Sequence, residues 1–251
     1  MMKTIAISNQ KGGVGKTTTS VCLAHALAIK GKQVLLIDLD PQGQVATALG
    51  LDRDPGVFNL LVAGRAAANV IRSSGRPNLS VITGDKSTAT AQIVIEAQHQ
   101  PVSFLRDLLK PFGKSGLDYV VLDTSPSIGG LQELALFAAD TVLIPTAVDY
   151  LSSDGVASVI ETLNTLRRNH QWPGTLLGIL PTFSDDTTRA SAENLTALRH
   201  VYSEYVLKPI HRATVLRECV AEGLTLWEKD AGSRAAFEYA AVLHYMLERV
   251  A

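Results

Sequence analysis

The chain has few cysteines and no long apolar run, and both absences narrow the classes of protein that it can belong to. Its two cysteines, Cys22 and Cys219, lie in no C-x-x-C motif and beside no histidine cluster, which argues against a structural metal site. We predict that both are packing residues. No apolar stretch approaches the length needed to cross a bilayer, and strand-like sequence follows Met1 within two residues, which leaves no room for a signal peptide. We therefore expect a cytoplasmic protein.

The sequence also lacks a linker, a repeat and an excess of one charge. The formal net charge is −1, which argues against a uniformly basic surface for nucleic acid but permits a local patch. The polar stretch Arg72–Asn78 is short enough to be a surface loop. Hydrophobic residues make up 46% of the chain, enough for a sheet that is covered on both faces. We predict a single domain over residues 1–251.

Short apolar runs recur along the chain and alternate with helical segments. Most runs are continuous, which is typical of strands buried on both faces of a parallel sheet. The predicted strands cover residues 4–8, 33–38, 79–83, 119–123, 141–145, 176–181 and 205–210. Among the predicted helices are Thr18–Lys30, Gln132–Ala139 and Ser152–Asn169. This alternation predicts an α/β fold with one doubly wound, mostly parallel sheet and helices on both faces.

A glycine-rich segment, NQKGGVGKTT, links the first predicted strand to the first helix. Small residues let backbone N–H groups converge on phosphate oxygens, and the helix N-terminus adds partial positive charge. Lys16 is placed to meet the β- and γ-phosphates, and the Thr17 hydroxyl is placed to ligate Mg²⁺. The predicted nucleotide-binding residues of this segment are Lys11, Gly12, Gly13, Val14, Gly15, Lys16, Thr17 and Thr18.

Carboxylates follow two other predicted strands. Asp38 and Asp40 come after VLLI, and Asp123 ends YVVLD. A single carboxylate at a strand end is more often a helix cap, but joint placement beside a phosphate loop favours a role with metal and water. Asp123 is predicted to hold Mg²⁺ through a coordinated water. The segments Asp40–Gln44 and Thr124–Gly130 are predicted to be switches that depend on the γ-phosphate, although ordinary strand–helix connections would have a similar sequence.

A second lysine, Lys11, precedes the glycine pair, and Gln10 replaces the first glycine of the usual loop pattern. Lys11 cannot easily fold back onto phosphates that Lys16 already holds, so we expect it to reach a nucleotide bound by another copy of the chain. With both lysines, KGGVGKTT resembles the deviant Walker A motif of the ParA and MinD group of P-loop ATPases. The resemblance extends through LIDLDPQGQ and YVVLDTSPS to the C-terminal segment, and it points to the short, Soj-like ParA partition ATPases.

This resemblance implies ATP and Mg²⁺ as cofactors. It implies that Asp40 positions or polarises the attacking water and that Asp38 supports the metal shell. The implied catalytic residues are Lys11, Lys16 and Asp40. The implied metal-site residues are Thr17, Asp38 and Asp123.

The segment VLKPIHR resembles the part of the family in which a proline contacts adenine, and this assigns Pro209 to the base. Many relatives have Asn two residues later, where this chain has His211, which we interpret as exposed or structurally bonded. The ordinary interpretation of the basic residues nearby is a solvated surface of mixed charge. The resemblance raises the alternative that an ATP-bound dimer joins two such patches into a surface for DNA without base readout. The predicted DNA-binding residues are Arg189, Lys208, Arg212 and Arg217.

The resemblance therefore predicts an ATP-dependent switch that forms a homodimer, binds nonspecific double-stranded DNA on the nucleoid, and hydrolyses ATP slowly until a ParB-like partner stimulates it. One alternative is a ParA-like ATPase that positions a protein cargo, such as a microcompartment or a chemoreceptor cluster. Another is a MinD-like regulator at the membrane. The C-terminal segment FEYAAVLHYMLERVA has a single Arg249 among acidic and apolar residues, so we predict a packed helix and no membrane partner.

Overall fold

The computed structural model describes residues 1–66, 69–127, 130–148 and 153–250. Strands and helices alternate over most of this length, as the apolar runs predict. The strands are β1 (Lys3–Ile7), β2 (Val34–Leu39), β3 (Arg72–Arg76), β4 (Leu79–Ile82), β5 (Tyr119–Thr124), β6 (Thr141–Ala147) and β7 (Thr175–Thr182). The helices are α1 (Lys16–Ile29), α2 (Gln44–Ala48), α3 (Gly56–Leu61), α4 (Ser87–Ala97), α5 (Phe104–Leu109), α6 (Gly130–Ala138), α7 (Ser153–His170), α8 (Arg189–Tyr202), α9 (Thr214–Glu222), α10 (Leu226–Lys229) and α11 (Arg234–Val250).

These strands form a seven-stranded sheet in the order β3-β4-β2-β5-β1-β6-β7. The neighbouring pairs are parallel, except that β3 is antiparallel to β4. β5 lies between β2 and β1, and because these three strands are parallel, their carboxyl ends meet at the edge where such folds bind ligands. The predicted α/β fold with a doubly wound, mostly parallel sheet is confirmed.

Two apolar clusters form the core, one on each face of the sheet. Ile5 and Ile7 of β1 belong to the cluster that contains α1 and α11, whereas Ala6 belongs to the cluster that contains α6 and α7. Successive residues of a strand point to opposite faces. Because helices cover both faces, every residue of β2 and β5 is buried, and this explains why their sequences are continuous rather than alternating.

The prediction of a surface loop at Arg72–Asn78 is wrong. Most of this stretch is the edge strand β3, whose register with β4 shifts between Ser73 and Arg76. The Ser74 hydroxyl donates to the Leu79 carbonyl at 2.7 Å and takes a buried position on the strand. A polar sequence can form an edge strand because only one side of it pairs.

The predicted strand at residues 205–210 is also wrong. Val206 makes an isolated bridge to Ile179 of β7, and the Leu207 N–H donates to the Ile179 carbonyl at 2.9 Å. Pro209 has no N–H with which to continue a ladder. The apolar run therefore packs along the edge of the sheet without becoming a full strand.

Helix boundaries lie close to their predicted positions. α1 begins at Lys16 rather than Thr18, and α7 begins at Ser153, while the predicted start of α7 at position 152 lies outside the described residues. In α11, Tyr239 and Met246 are buried, and the Tyr239 hydroxyl lies 3.2 Å from Thr19 Oγ1. The predicted packed C-terminal helix is confirmed. Among the described helices, none has both the length and the apolar character to cross a membrane.

The two cysteines are packing residues, as predicted. Cys22 and Cys219 are buried, unpaired thiols in the same apolar cluster. Burial raises the pKa of the Cys22 thiol far above its usual range. A thiol that remains protonated is a poor nucleophile and a poor metal ligand.

Candidate functional site

The glycine-rich loop between β1 and α1 lies at the carboxyl edge of the sheet. Gly13 and Gly15 have φ angles of +73° and +85°, in the left-handed region where a side chain would be strained. A Cβ placed on Gly12 or Gly13 would meet no atom within 4 Å, so open space lies beside this part of the loop. The Val14 side chain is buried, and its carbonyl accepts a hydrogen bond from Thr182 at 2.9 Å. These angles and this space suit a phosphate cradle, and the phosphate-binding role of the loop stays a prediction.

Lys16 is the first residue of α1, and its ammonium group folds back into the loop. Its Nζ donates to the carbonyl oxygen of Lys11 at 2.9 Å, and the residue is 7% exposed. Burial lowers the pKa of Lys16, while the charges of Asp123 and Asp40 oppose that shift. A partly desolvated cation gains strongly from a phosphate oxygen. Lys11 is partly exposed, and its N–H donates to Asn9 Oδ1 at 2.9 Å.

Asp123 lies near the end of β5, against the first turn of α1. Its Oδ2 accepts from the Thr17 hydroxyl at 2.7 Å, and its Oδ1 accepts from the Ser20 hydroxyl at 2.9 Å. Burial raises the pKa of Asp123 to about 6, although the hydrogen bonds from Thr17 and Ser20 and the charge of Lys16 act in the opposite direction. A bound cation would stabilise the charged form of this carboxylate.

Thr17 and Asp123 fit the donor set of a magnesium site. Within the described ranges, no group of three or more His, Cys, Asp or Glu side chains could hold a metal by itself. Mg²⁺ differs from metals that need such a cage, because it keeps several waters and binds one or two carboxylates together with substrate phosphates. The hydroxyl of Thr17 and the carboxylate of Asp123 supply hard oxygen atoms next to the phosphate loop.

Asp38 of β2 lies beside Asp123 of β5 in the strand register. Its Oδ1 accepts from the Asp40 N–H at 3.1 Å, and its Oδ2 accepts from the Val45 N–H at 3.0 Å. Burial, together with the charge of Asp123, raises the pKa of Asp38 well above its ordinary value. Asp38 therefore shapes the turn that carries Asp40 and begins α2. Its role in the metal shell stays a prediction.

A cavity of about 390 Å³ opens beside the glycine-rich loop, with Lys16, Thr17 and Asp40 among its lining residues. Asp40 is partly exposed, and its Oδ1 accepts from the Gln42 N–H at 2.9 Å. This volume is within the usual range of small-ligand sites. The cavity brings together the predicted phosphate-binding residues and the predicted water-positioning carboxylate. We call it the loop cavity.

Both predicted switches touch this region, and their dependence on nucleotide stays a prediction. The first contains Gly43, whose φ is +60° and whose N–H donates to the Asp40 carbonyl at 3.0 Å. In the second, Pro126 lines the loop cavity, and residues 128 and 129 lie outside the described residues.

A second cavity of about 390 Å³ adjoins the first and shares Gly15, Thr18, Phe183 and Val220 with it. Phe183 has a φ of +55°, and the Arg212 guanidinium lies 6.0 Å from its ring centroid. An aromatic ring beside a phosphate loop suits a planar base. Sequence reasoning missed Phe183, for which the signal was an aromatic residue directly after β7.

Among the described residues, Pro209 lines neither of these two cavities. Its predicted contact with adenine therefore stays a prediction.

His211 is structurally bonded, as interpreted from the sequence. Its Nδ1 lies 2.6 Å from Glu238 Oε1, and its Nε2 lies 2.9 Å from Asp186 Oδ1. Arg234 bridges the same two carboxylates.

The predicted DNA-binding residues occupy several places. The Arg189 side chain is 91% exposed and pairs with Glu193 at 2.6 Å. Lys208 is exposed in a groove beside α11. Arg212 and Arg217 are exposed and line the second cavity. The structure therefore places only the last pair beside the loop, and the DNA role of all four stays a prediction.

Replacing Asp123 with asparagine is expected to stabilise the nucleotide-free protein by a margin that grows as the pH rises from about 4 to about 6. The pKa of Asp123 rises from 3.8 in its ordinary state to about 6 in the fold. Between these values the folded protein binds more protons than the unfolded chain, so the parent loses stability as the pH rises. At about 1.4 kcal/mol per pKa unit, the full loss is on the order of 3 kcal/mol.

Thermal unfolding of parent and Asp123→Asn at pH 4, 5, 6 and 7, without nucleotide or Mg²⁺, measures this margin. Since asparagine does not titrate, the difference between the two proteins isolates the carboxyl group. A margin that stays constant over this range would contradict the prediction.

The chain is similar to known chromosome-partitioning proteins. A family model described as an AAA domain (AAA_31) matches residues 2–172. The sporulation initiation inhibitor protein Soj of Bacillus subtilis is 33% identical over 243 residues, which cover 95% of this chain and 96% of that protein. The chromosome-partitioning ATPase Soj of Thermus thermophilus is 36% identical over 250 residues, which cover 99% of this chain and 97% of that protein.

Solved structures have the same fold. Cobyrinic acid a,c-diamide synthase from Mycobacterium smegmatis, with bound ADP and magnesium, matches with a TM-score of 0.84 and 27% identity over 99% of this chain and 95% of that chain. An ATP complex of a McdA variant from Cyanothece matches with a TM-score of 0.89 and 24% identity over 98% and 96%. From the family match, the two Soj relatives and the phosphate loop with its lysines, we conclude that the chain belongs to the ParA/Soj family of P-loop partition ATPases.

Proposed function

We propose that this protein is a partition switch that uses ATP and Mg²⁺. With ATP it forms a homodimer and binds double-stranded DNA without sequence preference on the nucleoid, and a ParB-like partner stimulates slow hydrolysis that releases the DNA. The observation that carries this proposal is the loop cavity, where Lys16, Thr17 and Asp40 line one space next to the buried Asp123. The nucleotide and magnesium in the synthase from Mycobacterium smegmatis support the choice of cofactors.

Each side chain of the loop cavity has a distinct part in the proposed reaction. When bound, Mg²⁺ would neutralise charge on the phosphates, so that ADP can depart as the γ-phosphoryl group passes to water. Thr17 and Asp123 would hold the ion, and Lys16 would exchange its bond to the Lys11 carbonyl for phosphate oxygens. Asp40 would orient the attacking water, since it lines the same cavity as Lys16 and Thr17.

The proposal assigns Lys11 to the nucleotide of the partner protomer. Lys16 already occupies the interior of its own loop, where its Nζ is bonded to the Lys11 carbonyl. A second ammonium group in that place would add repulsion, whereas a γ-phosphate on the partner would give it a charge-assisted hydrogen bond. The dimer would then form only when ATP is present.

Dimerisation would also explain how a protein with a net charge of −1 could bind DNA. We expect the exposed basic residues of one protomer, such as Arg212 and Arg217, to bind DNA weakly by themselves. Two copies held together act on one duplex, and the second contact benefits from a high effective concentration. Affinity for phosphate backbones should fall steeply with salt.

Nucleotide-dependent DNA binding tests this proposal. We expect the parent to dimerise and to bind a random-sequence duplex with ATP, but not with ADP or without nucleotide. Lys11→Ala should bind nucleotide and remain monomeric, with at least a tenfold loss of DNA affinity through the lost second contact. Light scattering after size exclusion and fluorescence anisotropy at one salt concentration measure both properties.

Lys30→Ala is the matched control, because Lys30 is an exposed lysine at the far end of α1. It should behave like the parent. DNA affinity that is indifferent to nucleotide would reject the proposed cycle. If Lys11→Ala dimerises with ATP as the parent does, the role across the dimer is wrong.

A further inference from the structure

The edge strand β3 carries an arginine whose largely buried side chain bonds to three parts of the fold. The Arg76 side chain is 9% exposed. Its Nη1 donates to the Leu49 carbonyl and its Nη2 to the Gly223 carbonyl, each at 2.9 Å. Its Nε and Nη2 also pair with the Glu228 carboxylate at 3.0 and 2.8 Å. Leu49 follows α2, Gly223 ends α9 and Glu228 belongs to α10.

The partners of Arg76 in α10 are fixed to the helix that begins at the phosphate loop. Thr225 Oγ1 lies 2.7 Å from His25 Nδ1, and Trp227 Nε1 donates to the Cys22 carbonyl at 2.8 Å. Thr225 and Glu228 form a capping box, so the Thr225 N–H also holds the Glu228 carboxylate at 2.7 Å. Burial alone would raise the pKa of Glu228, but hydrogen bonds from Arg76 and Thr225 keep it below its ordinary value. We call the bonds from Arg76 to Leu49, Gly223 and Glu228 the clamp, and its end at Glu228 is therefore charged.

The other end of the clamp is the short helix α2, which starts at the turn that carries Asp40. α2 contains five residues, and a helix of this length has little stability of its own. Its position depends on what holds its two ends. At the start, Val45 N–H donates to Asp38 and Gly43 N–H donates to the Asp40 carbonyl. At the end, the Leu49 carbonyl is held by Arg76.

A contact between two glycines brings the ends of α2 and α9 together. Gly50 and Gly223 have φ angles of +71° and +67°. A Cβ on Gly223 would lie 2.5 Å from the Gly50 Cα, so the two backbones touch. Ala48 of α2 and Val220 of α9 both line the loop cavity. These two lining residues therefore lie close in the chain to Leu49 and Gly223, whose carbonyls Arg76 bonds.

We propose that Arg76 is a positioning residue for ATP hydrolysis: it ties α2, and with α2 the Asp40 carboxylate, to the helices packed on α1. This inference rests on the proposed function, because it requires that the loop cavity bind and hydrolyse ATP. The phosphate-binding residues Lys16 and Thr17 lie on α1 itself and do not depend on the clamp. Loss of Arg76 should therefore misplace the water-orienting group and leave nucleotide binding largely intact.

Arg76→Gln tests the inference, with Arg72→Gln as the matched control. Arg72 lies on the same strand and forms one ion pair, to Asp54 at 2.8 Å, together with a bond to the Asp52 carbonyl. Both of these partners precede α3. Each variant thus removes one arginine ion pair from the edge strand, but only Arg76→Gln removes the guanidinium group that bonds to the ends of α2 and α9 and to α10. Steady-state kinetics, titration with ADP and thermal unfolding are measured for both variants and the parent.

We expect kcat of Arg76→Gln to fall about tenfold or more, since misplacement of a catalytic group by about 1 Å can cost two orders of magnitude. Its affinity for ADP should stay within about threefold of the parent, and Arg72→Gln should keep the parental kcat. Arg76→Lys should recover part of kcat, because it keeps the charge facing Glu228 but cannot reach all three partners.

An active parent with equal kcat in Arg76→Gln and Arg72→Gln would overturn this inference alone. ADP affinity that falls in proportion to kcat would also overturn it, because the whole site would then have been lost. A parent without ATPase activity would overturn the proposed function as well. If Arg76→Gln does not fold, Arg76→Lys replaces it, because a single ammonium group keeps the charge facing Glu228 but cannot donate to both carbonyls and the carboxylate. A parental kcat in Arg76→Lys would then count against the clamp.

Discussion

Lys16→Ala is expected to weaken the binding of ATP and ADP by about 100-fold or more. Lys16 as a residue is 7% exposed, and its ammonium group bonds to the Lys11 carbonyl of the phosphate loop at 2.9 Å. A bound phosphate would be largely shielded from water at that position, and removing the cation would leave it without its main counter-charge. Loss of one partner from a buried, hydrogen-bonded charge pair usually costs about 2 to 5 kcal/mol.

Calorimetric titration with each nucleotide in the presence of Mg²⁺ measures the loss. The nucleotide-free variant should be about as stable as the parent, because burial lowers the pKa of Lys16 and the charged group gains little from its place in the fold. Lys32→Ala, which removes an exposed lysine just after α1, should bind as the parent does. A variant at position 16 with parental affinity would exclude the loop cavity as the phosphate site.

Asp40→Ala is expected to slow hydrolysis by about 100-fold to 10,000-fold while ATP remains bound, as is typical when a group that orients or polarises the reacting water is removed. Asp40 lines the loop cavity but makes none of the bonds that hold Lys16, Thr17 or Asp123 in place. Within the described part of the chain, its carboxylate accepts a local hydrogen bond from the Gln42 N–H at 2.9 Å. The variant should therefore keep the ATP-bound dimer and its DNA affinity.

Single-turnover hydrolysis and ATP titration separate the two effects. Asp40→Asn keeps an oxygen that can accept from Gln42, so it should be as slow as Asp40→Ala if the negative charge is what matters. Asp52→Ala changes an exposed carboxylate beyond α2 and serves as the control. An alanine variant at position 40 that hydrolyses bound ATP at the parental rate would remove Asp40 from the reaction.

The sequence predicted the centre of the sheet better than its edges. Central strands such as β2 and β5 are buried on both faces, and this environment selects an unbroken apolar run that is visible in the sequence. At the edges, β3 is polar and still pairs, whereas residues 205–210 are apolar and still do not form a strand. Edge pairing depends on which backbone lies alongside, and local composition carries little information about that.

In the candidate site, too, the sequence predicted some residues well and missed others. The glycines, Lys16 and Thr17 follow one another in the chain, so their chemistry could be predicted from spacing alone. Ser20 was missed although it lies one turn along α1 from Thr17 and donates to Asp123 at 2.9 Å. Phe183 was missed because an aromatic residue directly after a strand is a weak signal, and only the fold places this one beside the loop. The short-range pattern therefore predicted the donors to the phosphates, and not the walls of the cavity.

By itself, the sequence determined the phosphate loop, the order of strands and helices along the chain, and the family, because each of these depends on residues that are neighbours in the chain. Only the tertiary structure decided what those residues touch. Thr17 and Asp123 are 106 positions apart, and Arg76 and Glu228 are 152 apart. Contacts of such separation arise when the sheet and its helices pack, since burial and hydrogen bonding across the whole fold then select one arrangement.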